Sequence, residues 1–331
     1  VDKRVTDRLL SWFDKEKRAL PWRKSRDPYA IWVSEIMLQQ TTVAVVAARY
    51  EAFLARFPDL AALARSRPDA VLAAWSGLGY YQRARNLHRA ARQIVRQRGG
   101  AIPESLEELK TLPGVGEYTA NALRAVAFGQ FALPMDANIR RVTSRLFATR
   151  APRSFLPRLV SRERPGDCVA ALFDLGQLLC RPRNPDCPNC PLRSDCRAAR
   201  TGRASDFPPR PARKARRVIH LAAAVFLRNG RYFLRRRRSS WLSGLWEFPA
   251  AEGPSAREAR RRLMALVGDL GRRLPVEIRH AVVNRNLRIS IYPGKGSAAV
   301  SQGRWMTRRA LEGSAVSSLV KKIAGALPQE W

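Results

Sequence analysis

The chain has 331 residues, 61 of them Lys or Arg against 27 Asp or Glu, and a formal net charge of +34 at pH 7. That length holds two domains with separate cores, and an Arg excess on this scale selects a polyanionic partner, nucleic acid ahead of an acidic membrane, because the guanidinium fork grips phosphate with two hydrogen bonds. No apolar run reaches transmembrane length and the N-terminus lacks a signal-peptide layout, so neither a membrane span nor secretion is expected, and a cytoplasmic protein is.

An amphipathic helix is predicted over 5–13. Arg18 to Arg23 then leads through Asp27-Pro28 into a turn and the start of a long helix from Tyr29. Glu35 lies inside that helix among Trp32, Val33, Ile36 and Leu38. A solvated glutamate is the default on a helix, but apolar neighbours on nearly every side predict a carboxyl with a raised pKa that stays protonated near neutrality. Further helices are predicted over 42–56, 60–64, 68–75 and 83–98. Between the last two, Gly77-Leu78-Gly79-Tyr80-Tyr81 reads as a loop that approaches something closely, or as a plain helix break.

Ser105 and Glu108 form a capping box ahead of a short helix ending near Thr111. Leu112-Pro113-Gly114-Val115-Gly116 is a tight turn, followed by an Ala-rich buried helix over 118–128. A helix, a Gly hairpin and a second helix can offer backbone N–H groups to a phosphate, although an ordinary turn between helices has the same signature. Asp136 is predicted to cap a helix over 137–147, a role that needs no chemistry. Residues 155–180 read as one or two more helices ending at Cys180.

All five cysteines fall between Cys168 and Cys196. Cys180, Cys187, Cys190 and Cys196, interleaved with Pro182, Pro185, Pro188 and Pro191, wrap a compact soft-metal site. Structural zinc is the rival, although it more often uses paired CxxC motifs or adds His, and no His lies here. Cys168 is left over as a buried thiol. Arg193 and Arg197 flank the last ligands and could press on a phosphate. Residues 201–217 are rich in Pro and Arg and read as a linker. Strands follow: a hairpin of 218–227 and 231–238 about a type I′ turn at Asn229-Gly230, a helix over 255–267, paired strands over 277–283 and 287–292, and a last helix over 314–326. The expected fold is multidomain: an all-α domain over 1–200, the linker, and an α+β domain over 218–331.

In order, Ala19-Leu20-Pro21-Trp22-Arg23, the stretch Trp32 to Thr41, Gly77 to Tyr81, the hairpin, Asp136-Ala137-Asn138, the cysteine loop and Gly244-Leu245-Trp246-Glu247-Phe248-Pro249 resemble the MutY family of adenine DNA glycosylases along essentially the whole chain. The resemblance implies a helix-hairpin-helix domain whose Cys180, Cys187, Cys190 and Cys196 bind a [4Fe-4S] cluster, and a Nudix-like C-terminal domain. It also implies base excision repair of double-stranded DNA carrying adenine opposite 8-oxoguanine or guanine, by a monomer associated with the bacterial nucleoid.

By the same resemblance Glu35 is the general acid that protonates adenine at N7, which makes the purine a better leaving group. Asp136 is the ionised carboxylate facing the oxocarbenium-like sugar, kept charged by its helix-start position, and Asn138 orients water or the catalytic groups. Tyr118 stands where bifunctional relatives of the endonuclease III type carry a Schiff-base Lys; a phenol cannot make that adduct, so monofunctional chemistry is expected. Arg18, Trp22, Arg23 and Asp174 match positions around the adenine pocket. Gln40, Thr41 and Tyr81 match positions that enter or contact the opened base stack. Leu112, Gly114, Val115 and Gly116, with Arg193, match the phosphate contacts.

The segment Arg257 to Leu263 does not reproduce the Glu-rich Nudix box, so no nucleotide hydrolysis is expected. Where the family reads 8-oxoguanine with a Phe-Ser-His turn, the matching positions here are Val283, Asn284 and Arg285; Asn and Arg can still donate to a guanine edge. Two other functions fit many of the same residues. One is a thymine or uracil mismatch glycosylase, since some thymine glycosylases of the superfamily carry Tyr at the Tyr118 position. The other is a non-catalytic iron–sulfur protein that binds damaged DNA.

Overall fold

Apolar residues at Val5, Leu9, Leu10 and Phe13 recur at helical spacing and become the buried stripe of helix α1 (Lys3–Glu16). In the computed structural model, which describes residues 2–209, 217–237, 243–282, 285–295 and 303–327, it is followed by α2 (Pro28–Leu38), α3 (Val43–Arg56), α4 (Leu60–Arg65), α5 (Pro68–Ala74) and α6 (Gln82–Arg98). Then come α7 (Leu106–Lys110), α8 (Glu117–Val126), α9 (Ala137–Phe147), α10 (Pro165–Leu178) and the short α11 (Arg197–Arg200). The chain divides into two compact units, Val1–Arg65 with Asn86–Ala212, and Ser66–Arg85 with Arg213–Trp331. Among the described residues no helix is long and apolar enough to cross a membrane.

In the first unit, side-chain caps fix where the helices begin. Asp27 accepts from the Tyr29 and Ala30 N–H groups with Pro28 at the first helical position, Ser105 accepts from Glu108 N–H, and Asp136 accepts from Ile139 N–H. The helix from Tyr29 is shorter than expected and is separated from the helix that follows it. It stops at Leu38, and Gln40 takes a left-handed φ of 56° before α3 starts. Helices α1, α9 and α10 share one core, which the half-buried Cys180, Cys190 and Cys196 join from the side. Gly176 lets α10 lie directly on α9, since a Cβ there would stand 2.7 Å from the Cβ of Asn138. Within residues 155–180, a 3-10 turn (Pro152–Arg158) precedes α10, which ends at Leu178.

The second unit contains strands β1 (Arg217–Val225), β2 (Leu227–Arg228), β3 (Arg231–Arg236), β4 (Trp246–Glu247) and β5 (Ala250–Gly253), then helix α12 (Ala256–Val267). Strands β6 (Glu277–Val282), β7 (Arg285–Pro293) and β8 (Gly303–Thr307) and helices α13 (Arg308–Glu312) and α14 (Ser318–Gly325) complete it. Asn229 and Gly230, with φ of 50° and 67°, make the expected type I′ turn, but its arms are β2 and β3 alone. The chain breaks at Phe226 and β1 belongs to the other sheet, ordered β5-β1-β7-β6, where it runs parallel to β7. The reason is that Leu221 to Val225 are all buried, the pattern of a central strand covered on both faces. Leu221, Ala223 and Val225 face a cluster that includes Leu319, Val320 and Ile323 of α14. Ala222 and Ala224 face Ala259, Leu263 and Val267 of α12. Residues 66–85 group with this unit through contacts such as Tyr81 Oη donating to the Val316 carbonyl at 2.8 Å and an Arg236–Asp69 ion pair.

Candidate active site

Helix α2 is buried almost all round, and Glu35 is its half-buried polar exit into a cavity of about 1360 Å³ within the first unit. Tyr118, one residue into α8, and Asp136, the cap of α9, line the same cavity, as does Asn138. Three separate stretches of sequence therefore converge on one space. Tyr118 donates its phenolic hydrogen bond to the Glu35 carboxylate. Burial, reinforced by the Asp136 charge, pushes Glu35 up to about 7, and the Tyr118 hydrogen bond opposes the rise. Burial, together with the two carboxylates, holds Tyr118 well above the ordinary range, so it is a neutral donor.

Asp136 is bonded on both oxygens: Oδ1 accepts from Ile139 N–H at 2.7 Å and Oδ2 from Asn138 Nδ2 at 2.7 Å. Its position at the start of α9 favours the ionised form. Burial instead raises its pKa, against the pull of these hydrogen bonds and of the Arg141 charge. Arg141, 7% exposed, holds Asn138 in turn: its guanidinium donates to Asn138 Oδ1 at 2.8 Å, to the Gly176 carbonyl at 2.6 Å and to the Cys180 carbonyl at 2.7 Å. The far wall of the cavity includes Arg18, Trp22 and Arg23. Asp174 is wholly buried behind them, accepting from Arg18 Nε at 3.0 Å and Arg23 at 2.7 Å, so it anchors the wall. Arg18 also donates to Gln177 at 3.1 Å.

Residues 33–155 match the HhH-GPD superfamily of base excision DNA repair proteins, and residues 222–326 match the NUDIX domain. The adenine DNA glycosylase of Rattus norvegicus is 33% identical over 95% of this chain and 76% of its own length. That of Mycobacterium tuberculosis is 40% identical over 61% of this chain and 70% of its own. The chain belongs to the adenine DNA glycosylase family. Among solved structures, a thermostable thymine-DNA glycosylase superposes with a TM-score of 0.57 at 29% identity, covering 60% of this chain and 97% of that one. An endonuclease III–DNA complex superposes at 0.53 with 23% identity over 60% of this chain and 95% of that one, a likeness of fold.

In this glycosylase the hairpin offers fewer free amides than its sequence implies. Leu112 and Val115 are buried, and their N–H groups donate to the Leu109 and Leu112 carbonyls. Gly114 and Gly116 are exposed, and among the described residues their N–H groups have no backbone partner. Gly114 needs its φ of 82° and its missing Cβ, which would meet Asn86 at 2.7 Å. Gln39, not singled out from sequence, ties the α2 end to this region through Thr119 Oγ1 at 3.1 Å. Gln40 and Thr41 line the cavity, with Gln40 exposed.

Tyr81 is a correction. It is 3% exposed and its hydroxyl is used by Val316, so it cannot enter a base stack. The exposed ring is Tyr80, at 37%, on a left-handed backbone with φ 45°. Arg83, itself buried, stacks 5.5 Å from Tyr80 and 5.4 Å from Trp75 and donates to the Leu78 and Gly79 carbonyls. The sequence offered two adjacent tyrosines and no means to tell the inward from the outward one.

Cys180, Cys187, Cys190 and Cys196 are half-buried free thiols. Burial pushes Cys190 up to about 12, with the charges of Cys180, Cys196 and Cys187 adding to the rise, so the four lie within electrostatic reach of one another. Among the described residues, however, no three His, Cys, Asp or Glu side chains are arranged to hold a metal ion. Arg145 of α9 donates to Cys180 Sγ at 3.4 Å and to the Arg181 carbonyl at 2.7 Å. Cys168 is buried and unpaired by disulfide. Arg193 is exposed. Of the opposite-base positions, Val283 and Asn284 lie outside the described residues, while Arg285 opens β7 with a nitrogen 3.5 Å from Glu252. In α12, Glu258 is paired with Arg261 and Arg262.

Proposed function

We propose that this protein is a monofunctional DNA glycosylase that extrudes and excises adenine paired with 8-oxoguanine or guanine in double-stranded DNA, acting as a monomer on nucleoid DNA in the cytoplasm. The observation that carries the reading is the meeting of Glu35, Tyr118 and Asp136 in one cavity. A carboxyl with a pKa of about 7 is half protonated at neutrality and can give its proton to adenine N7. As the C1′–N9 bond breaks, its electron pair leaves with the protonated purine. Asp136 faces the positive charge that builds on the sugar, and water adds to C1′ with its proton restoring Glu35. Asn138, held by Arg141, keeps Asp136 aimed. Tyr118 supplies a hydrogen bond and no amine, so the strand is left uncut.

Arg18, Trp22 and Arg23, braced by Asp174, form the wall against which the extruded base rests. Gln40 and Thr41 contact the opened duplex, and Gly114, Gly116 and Arg193 hold backbone phosphates. By the family resemblance, Val283, Asn284 and Arg285 are the positions assigned to the opposite base. Cys180, Cys187, Cys190 and Cys196, four thiols without a disulfide, have the donor chemistry of a [4Fe-4S] cluster and are the residues that would hold it. When bound, the cluster cross-links the loop around Arg193.

The test is single-turnover base release from duplexes with adenine opposite 8-oxoguanine, guanine and thymine. Release of adenine from the first two is expected, with no adduct trapped by borohydride. No adenine release, or release of thymine or uracil from a guanine mismatch instead, would overturn the reading.

A further inference from the structure

Next to the catalytic cavity, and sharing Asp136 and Ala137 with it, lies a second cavity of about 500 Å³. Its polar lining is dominated by Arg140, Arg150 and Arg153. The arginines of this region fall into two populations. Arg141 and Arg145 on α9 are buried and saturated with carbonyl acceptors. Arg140, between them and the cap of the same helix, is exposed; its backbone N–H donates to the Asp136 carbonyl, but among the described residues neither its guanidinium nor that of Arg150 has a hydrogen-bond or ion-pair partner. Asp136, the nearest carboxylate in sequence, spends its oxygens on Ile139 and Asn138. Arg153 is held by Glu117 at 2.7 Å, and Glu117 directly follows Gly116 of the hairpin. The cavity is thus tied to the phosphate-binding turn on one side and to the catalytic carboxylate on the other.

We propose that this cavity is a second phosphate site, which takes the backbone phosphate flanking the extruded nucleotide on the same strand. Unpaired guanidinium groups in a concave pocket concentrate positive potential, and their planar forks match the two free oxygens of a phosphodiester. A sugar facing Asp136 has its flanking phosphates within one nucleotide of that carboxylate, and the shared wall places the arginine cavity at that distance. The placement rests on the glycosylase reading only in that the sugar is taken to face Asp136.

The test compares Arg140→Ala, Arg150→Ala and the double variant with Arg257→Ala, a charge control on α12. Equilibrium binding is measured across a salt series to an undamaged duplex and to one with a tetrahydrofuran abasic analogue. For the abasic duplex each cavity variant is expected to bind about tenfold more weakly, with a salt slope shallower by about one. The loss on undamaged duplex is expected to be smaller, and the control unchanged. Methylphosphonates placed one at a time around the abasic nucleotide should weaken the parent protein at one flanking linkage, and the double variant should be indifferent there. Equal losses on both duplexes, a control as damaging as the cavity variants, or a double variant still sensitive at that linkage would each overturn the proposal. Failure to release adenine would sink the glycosylase reading instead, and leave the abasic-duplex measurement intact as a test of the site.

Discussion

Tyr118 donates to Glu35, and this one hydrogen bond works against the other forces on that carboxyl: burial and the Asp136 charge raise it to about 7, while the phenol stabilises its charged form. Base release that needs protonated Glu35 should therefore decline as pH climbs through about 7, approaching tenfold per pH unit above it. Tyr118→Phe removes the opposing interaction, so the alkaline limb should move to higher pH in a single-turnover rate profile. An unshifted limb would show that the bond does not tune Glu35.

The same shift has a stability consequence. Glu35 is protonated in the fold over a range where the unfolded chain, with the ordinary glutamate value of 4.5, has lost its proton. Its contribution is fully present below about 4.5 and is lost as pH rises through about 7. Glu35→Gln, which keeps the shape without the charge, should abolish base release and also raise the melting temperature at pH 8 relative to the parent protein. At pH 4.5 the two should melt together. Calorimetry at both pH values checks the sign.

Arg141 should be the residue outside the cavity whose loss is felt most strongly inside it. Its removal frees Asn138 and leaves the Gly176 and Cys180 carbonyls without a donor, an effect of about 3 kcal/mol on stability. A misplaced Asn138 should slow base release by about a hundredfold in Arg141→Ala. Arg141→Lys, which cannot span all three acceptors, should recover less than half of the stability in denaturant titrations.

The two tyrosines of the Gly77–Tyr81 loop should behave as opposites. Tyr81→Phe loses one buried hydrogen bond, about 1 kcal/mol, with lesion binding unaffected. Tyr80→Ala should leave stability within about 0.5 kcal/mol, as surface changes do, while weakening binding to mismatched duplex. Anisotropy titrations alongside thermal melts separate the two outcomes.

Gly176→Ala is expected to damage chemistry as well as folding, because the new methyl group would sit 2.7 Å from the Asn138 Cβ and push against its backbone. Base release should fall by at least tenfold in the fraction that remains folded, measured by active-site titration.

Much of this could be read from the chain because local rules decided it. Apolar neighbours around Glu35 implied its raised pKa, and an Asx residue ahead of a periodic stretch marked the start of α9 at Asp136. What escaped depended on partners remote in sequence. Nothing near Arg141 says that its guanidinium meets the Gly176 and Cys180 carbonyls, and nothing near Gln177 says that it faces Arg18. The fate of β1 was misread because an apolar strand next to a sound turn looks like a hairpin arm. Burial on both of its faces, which sends it to the other sheet, is a property of α12 and α14. Asp136 was read correctly as a cap, but the burial that raises its pKa was out of reach, since its depth is set by helices that lie elsewhere in the chain.

Because Asp136 both starts α9 and faces the cavity, its two duties rest on different properties of one side chain. The cap needs only an oxygen acceptor, which Asn supplies as well as Asp. The proposed chemistry needs the negative charge, which Asn lacks. A single base change in the codon can therefore leave a chain that folds, holds its loop and keeps its grip on DNA, yet turns nothing over. Such a variant would occupy mispairs and shield them from repair, so that in a cell it should be worse than a deletion.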